Sequence, residues 1–545
     1  MSSPNATTEA DDAPDPESAG DLPQRLGGSS SGSSQRSLGE VVGGVFRSER
    51  AMFSVVVVAA LYWTITLGRL IVLRQNRFGT FDFDTGIQDQ LIWQLAHFRD
   101  FSTVRGVPFF GNHASFGFFL LVPLAWLGAG PNAWNVINAV ALAACAPILY
   151  VVARDRFGRP WMSAAVALAW LAQPNVQWWV QEGFHPECVA LPFLFATWLF
   201  GQRIVQRLDD GVPVERRLKW WFGLSFFLTI IWKEDLALAL VGMGLVWAIR
   251  RHWRLGLGVA AIAALWFVVF GAWMVPRAAG GTVYGGIYGD LGDTPTQVVT
   301  NSVVHPSRLI DRWDENDALA YSKGLNQSFG YVAVLSPVTW LIGAPQWFVD
   351  ISSTANFTWD PHFHYQAIPV AALAISFVEG VWFVLRRRRW LGEAALVLGL
   401  GAAAWTGLAH SPGPWTPHNY RAGYWPLSAP ANQGAREAAV ALIRPGDGVS
   451  ADYLMVPHLT HREIVYTFPN PWKNSNYGVD PEAHGDQAKV DWIALDTAML
   501  DGDNLKLYDS IKASGEFQVA MQRDGVEVLR RIRPPGKGTA PIDTG

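Results

Sequence analysis

Charged residues are scarce in this sequence. Only 16% of its 545 residues are Asp, Glu, Lys or Arg, whereas 50% are hydrophobic. A soluble globular domain carries about 25% charged residues, so the shortage argues against an ordinary soluble protein. The abundance of apolar residues in turn argues against a mainly disordered chain.

Cysteine and a charge excess of either sign are also lacking. The two cysteines, Cys145 and Cys188, are too few for a disulfide framework, and we interpret both as packing residues. The formal net charge of −4 gives no general attraction to nucleic acid, so no such partner is expected. No P-loop, GxGxxG, GxSxG or kinase motif occurs in a sequence context that would support its function. Energy for a reaction must therefore arrive with a lipid-linked substrate or an ion gradient.

Long apolar runs are what the chain does contain, and a bilayer-spanning helix needs about 20 such residues. The runs predict an α-helical polytopic membrane protein with about 9–11 transmembrane helices. They are Ala51–Leu73, Ala133–Val152, Met162–Val180, Val189–Phe200, Trp220–Trp232, Leu236–Ile249, Leu255–Val275, Tyr331–Val349, Ala367–Leu385 and Ala394–Leu408.

Lys and Arg cluster between these runs, and cytoplasmic loops collect such residues. Placing every cluster inside predicts an integral plasma (inner) membrane protein with a cytoplasmic N-terminus. The shorter run Ala114–Leu127 then does not cross but lies at the outer interface or dips in and returns. Tyr331–Val349 either re-enters or crosses. The last helix exits, so the C-terminal region is external.

Composition divides the chain into four parts. Residues 1–44 are predicted to be a disordered cytoplasmic tail, and 45–428 a transmembrane module with an external loop at 74–132. Residues 429–533 read as a small external α/β domain, with a hairpin turn at Arg523-Asp524-Gly525. Residues 534–545 are expected to be a loose tail.

Polar clusters fall in the external loops. Lys233, Glu234 and Asp235 join two short apolar runs at a depth where charge is costly and typical of a binding site. The alternative is an ion pair that only stabilises the turn. Asp82 and Asp84 follow the first helix, and in an extended segment both would point to one face. Either could act as a general base, together they could hold a divalent metal, or they could cap the next helix.

Histidines mark two further loops. His185 and Glu187 could form a hydrogen-bonded pair, although Pro186 lies between them and a solvated loop is the simpler interpretation. His362 and His364 have the spacing of two zinc ligands, without the Cys or HExxH context that usually accompanies them.

The order of these motifs resembles a bacterial and archaeal membrane-protein family, domain of unknown function 2079. The similarity spans about Ala51 to Arg533. It rests on an FDxGIxDQ-like segment (Phe83–Gln90), His113, FHPE (Phe184–Glu187), KED (Lys233–Asp235), HY (His364-Tyr365) and VPHLxxR (Val456–Arg462).

That family is similar in architecture to GT-C glycosyltransferases, which have an acidic residue just after the first helix and use sugars carried on polyprenyl phosphate. The resemblance implies a transferase in which Asp84 is the general base. Asp82 and Glu187 are further catalytic candidates. The substrate-binding candidates are His113, His185, Lys233, Glu234, Asp235, Arg277, His364 and Tyr365.

The implied partners are a polyprenyl-phosphate-linked sugar, the bilayer, and an envelope glycan, lipid or protein acceptor. The sequence assigns no cofactor with certainty, and the one considered is a divalent metal at Asp82 and Asp84. The alternatives are a transporter or flippase using the same cavity, and a non-catalytic envelope scaffold. The polar groups lie at the outer ends of the helices, and the sequence shows no repeated halves. Both observations favour the enzyme over the transporter.

Overall fold

A computed structural model describes residue 44 and residues 46–283, 285–475 and 485–535. The predicted disordered tail therefore lies outside the described residues except for Gly44. The predicted loose tail lies outside them except for residues 534 and 535. From Val45 onward the chain forms one unit.

Within the described residues, six helical stretches are long and apolar enough to cross a membrane. They are Glu49–Asn76, Pro131–Phe157, Pro186–Asp209, Trp253–Ala279, His364–Leu385 and Arg389–His410. Two shorter apolar helices, Pro160–Ala172 and Asp235–Ile249, accompany them. The α-helical membrane fold is as predicted, but several of the ten apolar runs form helices shorter than a span.

The helices are numbered here in chain order. The first ten are α1 (Glu49–Asn76), α2 (Ile87–Ala96), α3 (Phe109–Asn112), α4 (Val122–Trp126), α5 (Pro131–Phe157), α6 (Pro160–Ala172), α7 (Pro174–Glu182), α8 (Pro186–Asp209), α9 (Arg216–Ile230) and α10 (Asp235–Ile249). The rest are α11 (Trp253–Trp266), α12 (Val275–Ala279), α13 (Pro295–Val304), α14 (Pro306–Glu315), α15 (Ala318–Gln327), α16 (Ala344–Ile351), α17 (Ala367–Leu385), α18 (Arg389–His410), α19 (Pro417–Arg421), α20 (Gln433–Leu442) and α21 (Gly502–Ala513).

Proline sets several helix starts in the bundle. Helices α5, α6, α7 and α8 each begin with proline at their first position. Proline suits this position because its missing N–H would have no partner there and its φ is already helical. The sequence therefore fixes where each helix begins, and the residues just before these prolines project from helix ends.

Helices α5 and α17 form much of the bundle interior. On α17 every residue from Ala367 to Val381 is buried, and α5 packs against α1, α6 and α8. Small residues such as Ala139, Ala146 and Ala153 on α5 are fully buried and allow the neighbouring helices to approach closely.

Two apolar segments, Ala114–Leu127 and Tyr331–Val349, consist of short helices and 3-10 turns rather than one continuous helix each. Ala114–Leu127 contains a 3-10 turn at Phe116–Leu120 followed by α4, both too short to cross a bilayer. Tyr331–Val349 is not one continuous helix, because 3-10 turns at Val332–Leu335 and Thr339–Ile342 precede α16.

The strands form two sheets. In the first loop, β1 (Phe101–Ser102) pairs antiparallel with β2 (Val107–Pro108). The C-terminal sheet has the order β4-β3-β5-β7-β6. Its strands are β3 (Val449–Ala451), β4 (Val465–Thr467), β5 (Trp492–Asp496), β6 (Phe517–Arg523) and β7 (Val526–Arg531). Strand β3 runs parallel to β4 and β5, and β6 and β7 form the predicted hairpin.

Two charged clusters lie far apart along α17. His364 stands just before the helix, whereas Glu379 lies deep within it and binds Arg156 Nε at 2.7 Å and Arg250 Nη1 at 3.2 Å. At a rise of about 1.5 Å per residue, the two positions are separated by roughly 22 Å. The arginine-rich end of the bundle is thus distinct from the end that holds the histidines.

Candidate functional site

A tight turn between α7 and α8 presents Glu182 and His185. Gly183 between them has φ 122°, in the region that favours glycine. A Cβ atom there would lie 3.1 Å from Asn135 Oδ1 and 3.2 Å from Thr85 Oγ1. Asn138 also fixes the turn, because its Nδ2 donates to the Gly183 carbonyl at 2.7 Å.

Pro186 starts α8 and so determines where its neighbours point. His185 is the extended residue just before the helix, and Glu187 lies in the first turn. A carboxylate is favoured there by the helix dipole. The proline thus does not separate His185 from Glu187 but gives both a defined position at the same helix end.

His364 reaches the same place from the other side of the chain. Trp179 on α7 donates its Nε1 hydrogen to the carbonyl of Phe363 at 3.0 Å. The rings of His185 and His364 then stack, with centroids 3.7 Å apart. His364 Nδ1 lies 2.8 Å from Glu182 Oε1, and His185 Nε2 lies 3.6 Å from the same oxygen. These residues form the core of what we call the histidine cluster: Glu182, His185, Glu187, Lys233 and His364.

Lys233 completes the cluster from the turn between α9 and α10. Its Nζ forms a buried ion pair with Glu187 and lies 3.2 Å from Asp235 Oδ2. Glu187 Oε1 is also 3.6 Å from His364 Nε2. Charges at such depth are retained where they pair with one another, as these do.

Asp84 borders the histidine cluster and is more exposed than the two carboxylates of the cluster, Glu182 and Glu187. Its Oδ1 lies 3.4 Å from His185 Nε2, and its side chain is 21% exposed against 1% for His185. Burial alone would raise the pKa of Asp84, but attraction to His185 and His364 outweighs it, so the pKa is lowered. Burial would lower the pKa of His185, but Glu182 and Asp84 outweigh it and raise the pKa to about 9.

Glu234 turns away from Lys233 and forms its own pair. His113 Nδ1 lies 2.7 Å from Glu234 Oε1, and the Ala114 amide donates to Oε2 at 2.9 Å. These contacts join the first loop to the α9–α10 turn. The structure therefore brings His113 and Glu234 together, beside the cluster rather than within it.

Asp82 faces the C-terminal sheet instead of the cluster. Residues Asp82–Gly86 form a helical turn rather than the extended segment expected from the sequence. Asp82 Oδ2 accepts a hydrogen bond from Thr467 Oγ1 at 2.6 Å, and its amide donates to the Tyr453 carbonyl at 3.0 Å. Because a helical turn does not alternate side chains as a strand does, Asp82 and Asp84 bind different partners.

Three other candidates lie outside the cluster's ion pairs. Arg277 on α12 is exposed, with its guanidinium 4.7 Å from the ring of Trp273. Tyr365 stacks on His364 with centroids 4.4 Å apart. His362 is exposed and pairs with Asp360, so it does not join His364 in a shared ligand set.

Two residues that matter here were not selected from the sequence. Glu182 contacts both histidines, and its spacing of three residues from His185 was the available signal. Asp89 binds Trp134 Nε1 at 2.7 Å and also Thr460 Oγ1, and His461 Nε2 lies 3.2 Å away. Its position within the Phe83–Gln90 motif was the signal for Asp89.

Chemically, the arrangement places a partly exposed carboxylate beside buried imidazoles and a buried ammonium. Asp84 can accept a proton from a bound hydroxyl group. Lys233 and the imidazoles can stabilise negative charge that develops next to it. Such a site suits the transfer of a group from an anionic leaving group to a hydroxyl acceptor.

The model of a family described as "Predicted membrane protein (DUF2079)" matches residues 74–528. No curated protein matches the sequence significantly. Among solved structures, ArnT from Cupriavidus metallidurans bound to undecaprenyl phosphate is similar, at 12% identity and a TM-score of 0.50. That alignment covers 89% of this chain and 98% of ArnT.

The apo state of the same ArnT is similar to the same degree, with 12% identity and a TM-score of 0.50 over 88% of this chain and 99% of ArnT. At this identity the likeness concerns the fold alone, which this chain shares with ArnT.

Proposed function

The chain belongs to the DUF2079 family of predicted membrane proteins, and from this premise and its GT-C fold we propose that it is a membrane glycosyltransferase. It transfers a sugar from a polyprenyl-phosphate carrier to a hydroxyl group of an envelope glycan, lipid or protein. The observation that carries the proposal is the placement of Asp84, partly exposed, against a buried cluster of histidine, lysine and carboxylate side chains.

We place the reaction at the external membrane face. Arg156 and Arg250 mark the opposite end of the bundle by pairing with Glu379, and arginine-rich ends face the cytoplasm. The histidine cluster and Asp84 then lie at the outer end, where a polyprenyl carrier can enter from the outer leaflet.

The transfer is a single displacement. The acceptor oxygen attacks C1 of the sugar while the bond between C1 and the phosphate oxygen breaks. The electron pair of that bond leaves on the phosphate, and the acceptor proton passes to Asp84. Attack from the side opposite the phosphate inverts the configuration at C1.

Lys233 and the neighbouring imidazoles stabilise the departing phosphate. Lys233 Nζ is held by Glu187 and Asp235, so its charge is positioned before substrate binds. Groups fixed in advance need no reorganisation when charge develops in the transition state, which is the main source of electrostatic catalysis.

A polar groove available to the acceptor lies in a part of the first loop that does not include Asp84. A cavity of about 620 Å³ lies between the first loop and the C-terminal sheet, with Arg99, Glu463, Tyr466 and Lys489 among its lining residues. Hydroxyl-rich acceptors suit such a mixed polar and aromatic surface. The C-terminal α/β region then positions the acceptor.

A deletion strain tests the proposed function. Its envelope glycans and polyprenyl-linked lipids are compared after complementation with wild type, Asp84→Asn or the control Asp360→Asn. Asp360 is an exposed carboxylate paired with His362, in the loop just before His364. We expect a missing sugar and an accumulated lipid-linked donor with Asp84→Asn, and full restoration with the control. If Asp84→Asn restored the sugar at equal expression, Asp84 would not be the general base, and a carrier or scaffold would be favoured.

A further inference from the structure

We propose that Glu182, His185 and His364 form a binding site for a divalent transition metal ion, best suited to zinc. The site shares its two histidines with the proposed reaction site, but the inference rests on the geometry of these side chains, and its test measures metal binding rather than transfer. One ligand atom from each residue lies within 4.8 Å of the others. The three residues come from two segments, the turn before α8 and the segment before α17.

Two buried atoms of this trio are left without hydrogen bonds. Among the residues that the structure describes, Glu182 Oε2 and His185 Nε2 have no hydrogen-bond partner. The side chains of Glu182 and His185 are 8% and 1% exposed, so bulk water does not compensate them. Buried polar atoms are normally paired, and a metal ion between these two would give both a partner.

The other ring nitrogens have the partners that metal-binding histidines need. His185 Nδ1 lies 3.2 Å from the Gly183 carbonyl, and a proton on Nδ1 would leave the Nε2 lone pair for the ion, in place of the 3.4 Å contact with Asp84. His364 presents Nδ1 to Glu182, while its Nε2 lies 3.6 Å from Glu187. A carbonyl or carboxylate behind each imidazole is the usual outer arrangement around metal-bound histidine.

The ligand types select the ion. Two imidazole nitrogens and one carboxylate make the set that zinc uses where it keeps an open fourth position. Calcium and magnesium prefer oxygen ligands throughout. Asp84, 3.4 Å from His185 Nε2, borders the position left open. A bound ion would also fasten the α7–α8 turn to the start of α17.

Cobalt binding tests the site on the full-length protein, purified in detergent with an affinity tag that contains no histidine. After treatment with a chelator, Co²⁺ titration is followed by visible absorption, and zinc is then added as competitor. We expect one Co²⁺ per chain with the intense bands of a four-coordinate ion, displaced by Zn²⁺. We also expect Zn²⁺ to raise the unfolding temperature of the wild type, since a ligand that binds only the folded state stabilises it.

Near-isosteric variants locate the ion. Glu182→Gln and His364→Gln should each weaken Co²⁺ binding by tenfold or more, since even outer partners of a metal change affinity by about 10–100-fold. The control His362→Gln alters an exposed histidine two residues from His364 and should bind as wild type. Unchanged binding in both Gln variants would overturn the proposal. So would a wild type that binds no Co²⁺ and gains no stability from Zn²⁺.

Discussion

Asp84 and Asp89 belong to one short segment of the first loop, yet their surroundings differ. Asp84 is partly exposed and contacts His185 at 3.4 Å. Asp89 is buried, with Trp134, Thr460 and His461 as partners for its two oxygens. Two residues before Asp84, Asp82 is also buried and receives the Thr467 hydroxyl.

The difference distinguishes a carboxylate that is available for a reaction from carboxylates that hold the C-terminal region in place. A carboxylate whose oxygens are already bound by neighbours is a structural element, whereas one with open surface beside a charged cluster is available to a substrate. The first loop thus uses Asp82 and Asp89 to hold the C-terminal region and leaves Asp84 for the proposed reaction.

The largest expected effect is that of Asp84→Asn on transfer. Loss of a general base reduces rates by about 10²–10⁴-fold, and the Asn side chain keeps the shape. Because Asp84 contacts His185 only at 3.4 Å, the unfolding temperature should change little. Transfer rate and thermal unfolding of the purified variant are measured together. A marked loss of stability with normal transfer would place Asp84 with the structural carboxylates.

Asp89→Asn should show the opposite pattern. The neutral amide weakens bonds to Trp134, Thr460 and His461, and bonds to a charged group contribute about 1.5–3 kcal/mol each. We expect the free energy of unfolding to fall by about 3 kcal/mol in total. Transfer per folded molecule should stay near the wild-type value. A variant as stable as wild type but inactive would assign Asp89 to the reaction instead.

A smaller effect is expected from Thr467→Val, which removes the hydroxyl bound to Asp82 and keeps the side-chain shape. Leaving this carboxylate with one fewer hydrogen bond should cost about 2 kcal/mol. Limited proteolysis should then cut the region after residue 428 faster than in wild type. Equal cleavage rates would show that the Asp82–Thr467 contact does not hold the C-terminal region.

An effect of similar size on the same attachment is expected from a change in pH, through His458. His458 packs on Phe78 with ring centroids 4.0 Å apart and the rings tilted by 30°, and burial lowers the pKa of His458 to about 4. Above pH 6.5 His458 is neutral in both the folded and the unfolded chain, so its protonation takes nothing from the free energy of unfolding. As pH falls from 6.5 towards 4, His458 binds a proton in the unfolded chain but not in the folded chain, so the free energy of unfolding decreases.

We expect a loss of about 2 kcal/mol by pH 4, from a shift worth about 1.4 kcal/mol per pKa unit and reduced by partial solvent screening. His458→Phe keeps a ring against Phe78 and removes the proton, so its stability should vary less between pH 6.5 and 4. An identical pH profile for the variant and wild type would exclude His458 as the source.

Much of the fold could be predicted from residue patterns. Long apolar runs indicated the membrane helices, and the Arg523-Asp524-Gly525 turn indicated the β6–β7 hairpin, which is present. The non-helical interruption of Tyr331–Val349 could not be read from hydropathy. The run does contain Pro337 and Pro345, however, and proline interrupts helices, so residue type carried a signal that hydropathy did not; the two 3-10 turns pack against α17.

The sequence indicated which loops contribute to the site, but it did not show which side chains from those loops contact one another. Lys233 and Glu187 were both candidates, yet nothing in one sequence shows that they meet. The pairing of Asp82 with Asp84 on one face assumed an extended chain, and the helical turn at Asp82–Gly86 changes their directions. Glu182 was missed because its role arises only when His364 folds against α7.

Release of polyprenyl phosphate tests the central claim most directly. The lipid-linked donor that accumulates in the deletion strain is placed in vesicles with purified wild type, Asp84→Asn or Asp89→Asn, at equal amounts of folded protein. We predict release by wild type and Asp89→Asn, and release lowered at least about 100-fold with Asp84→Asn. Equal release by Asp84→Asn and wild type, or no release by wild type with its own donor and acceptor, would contradict the account.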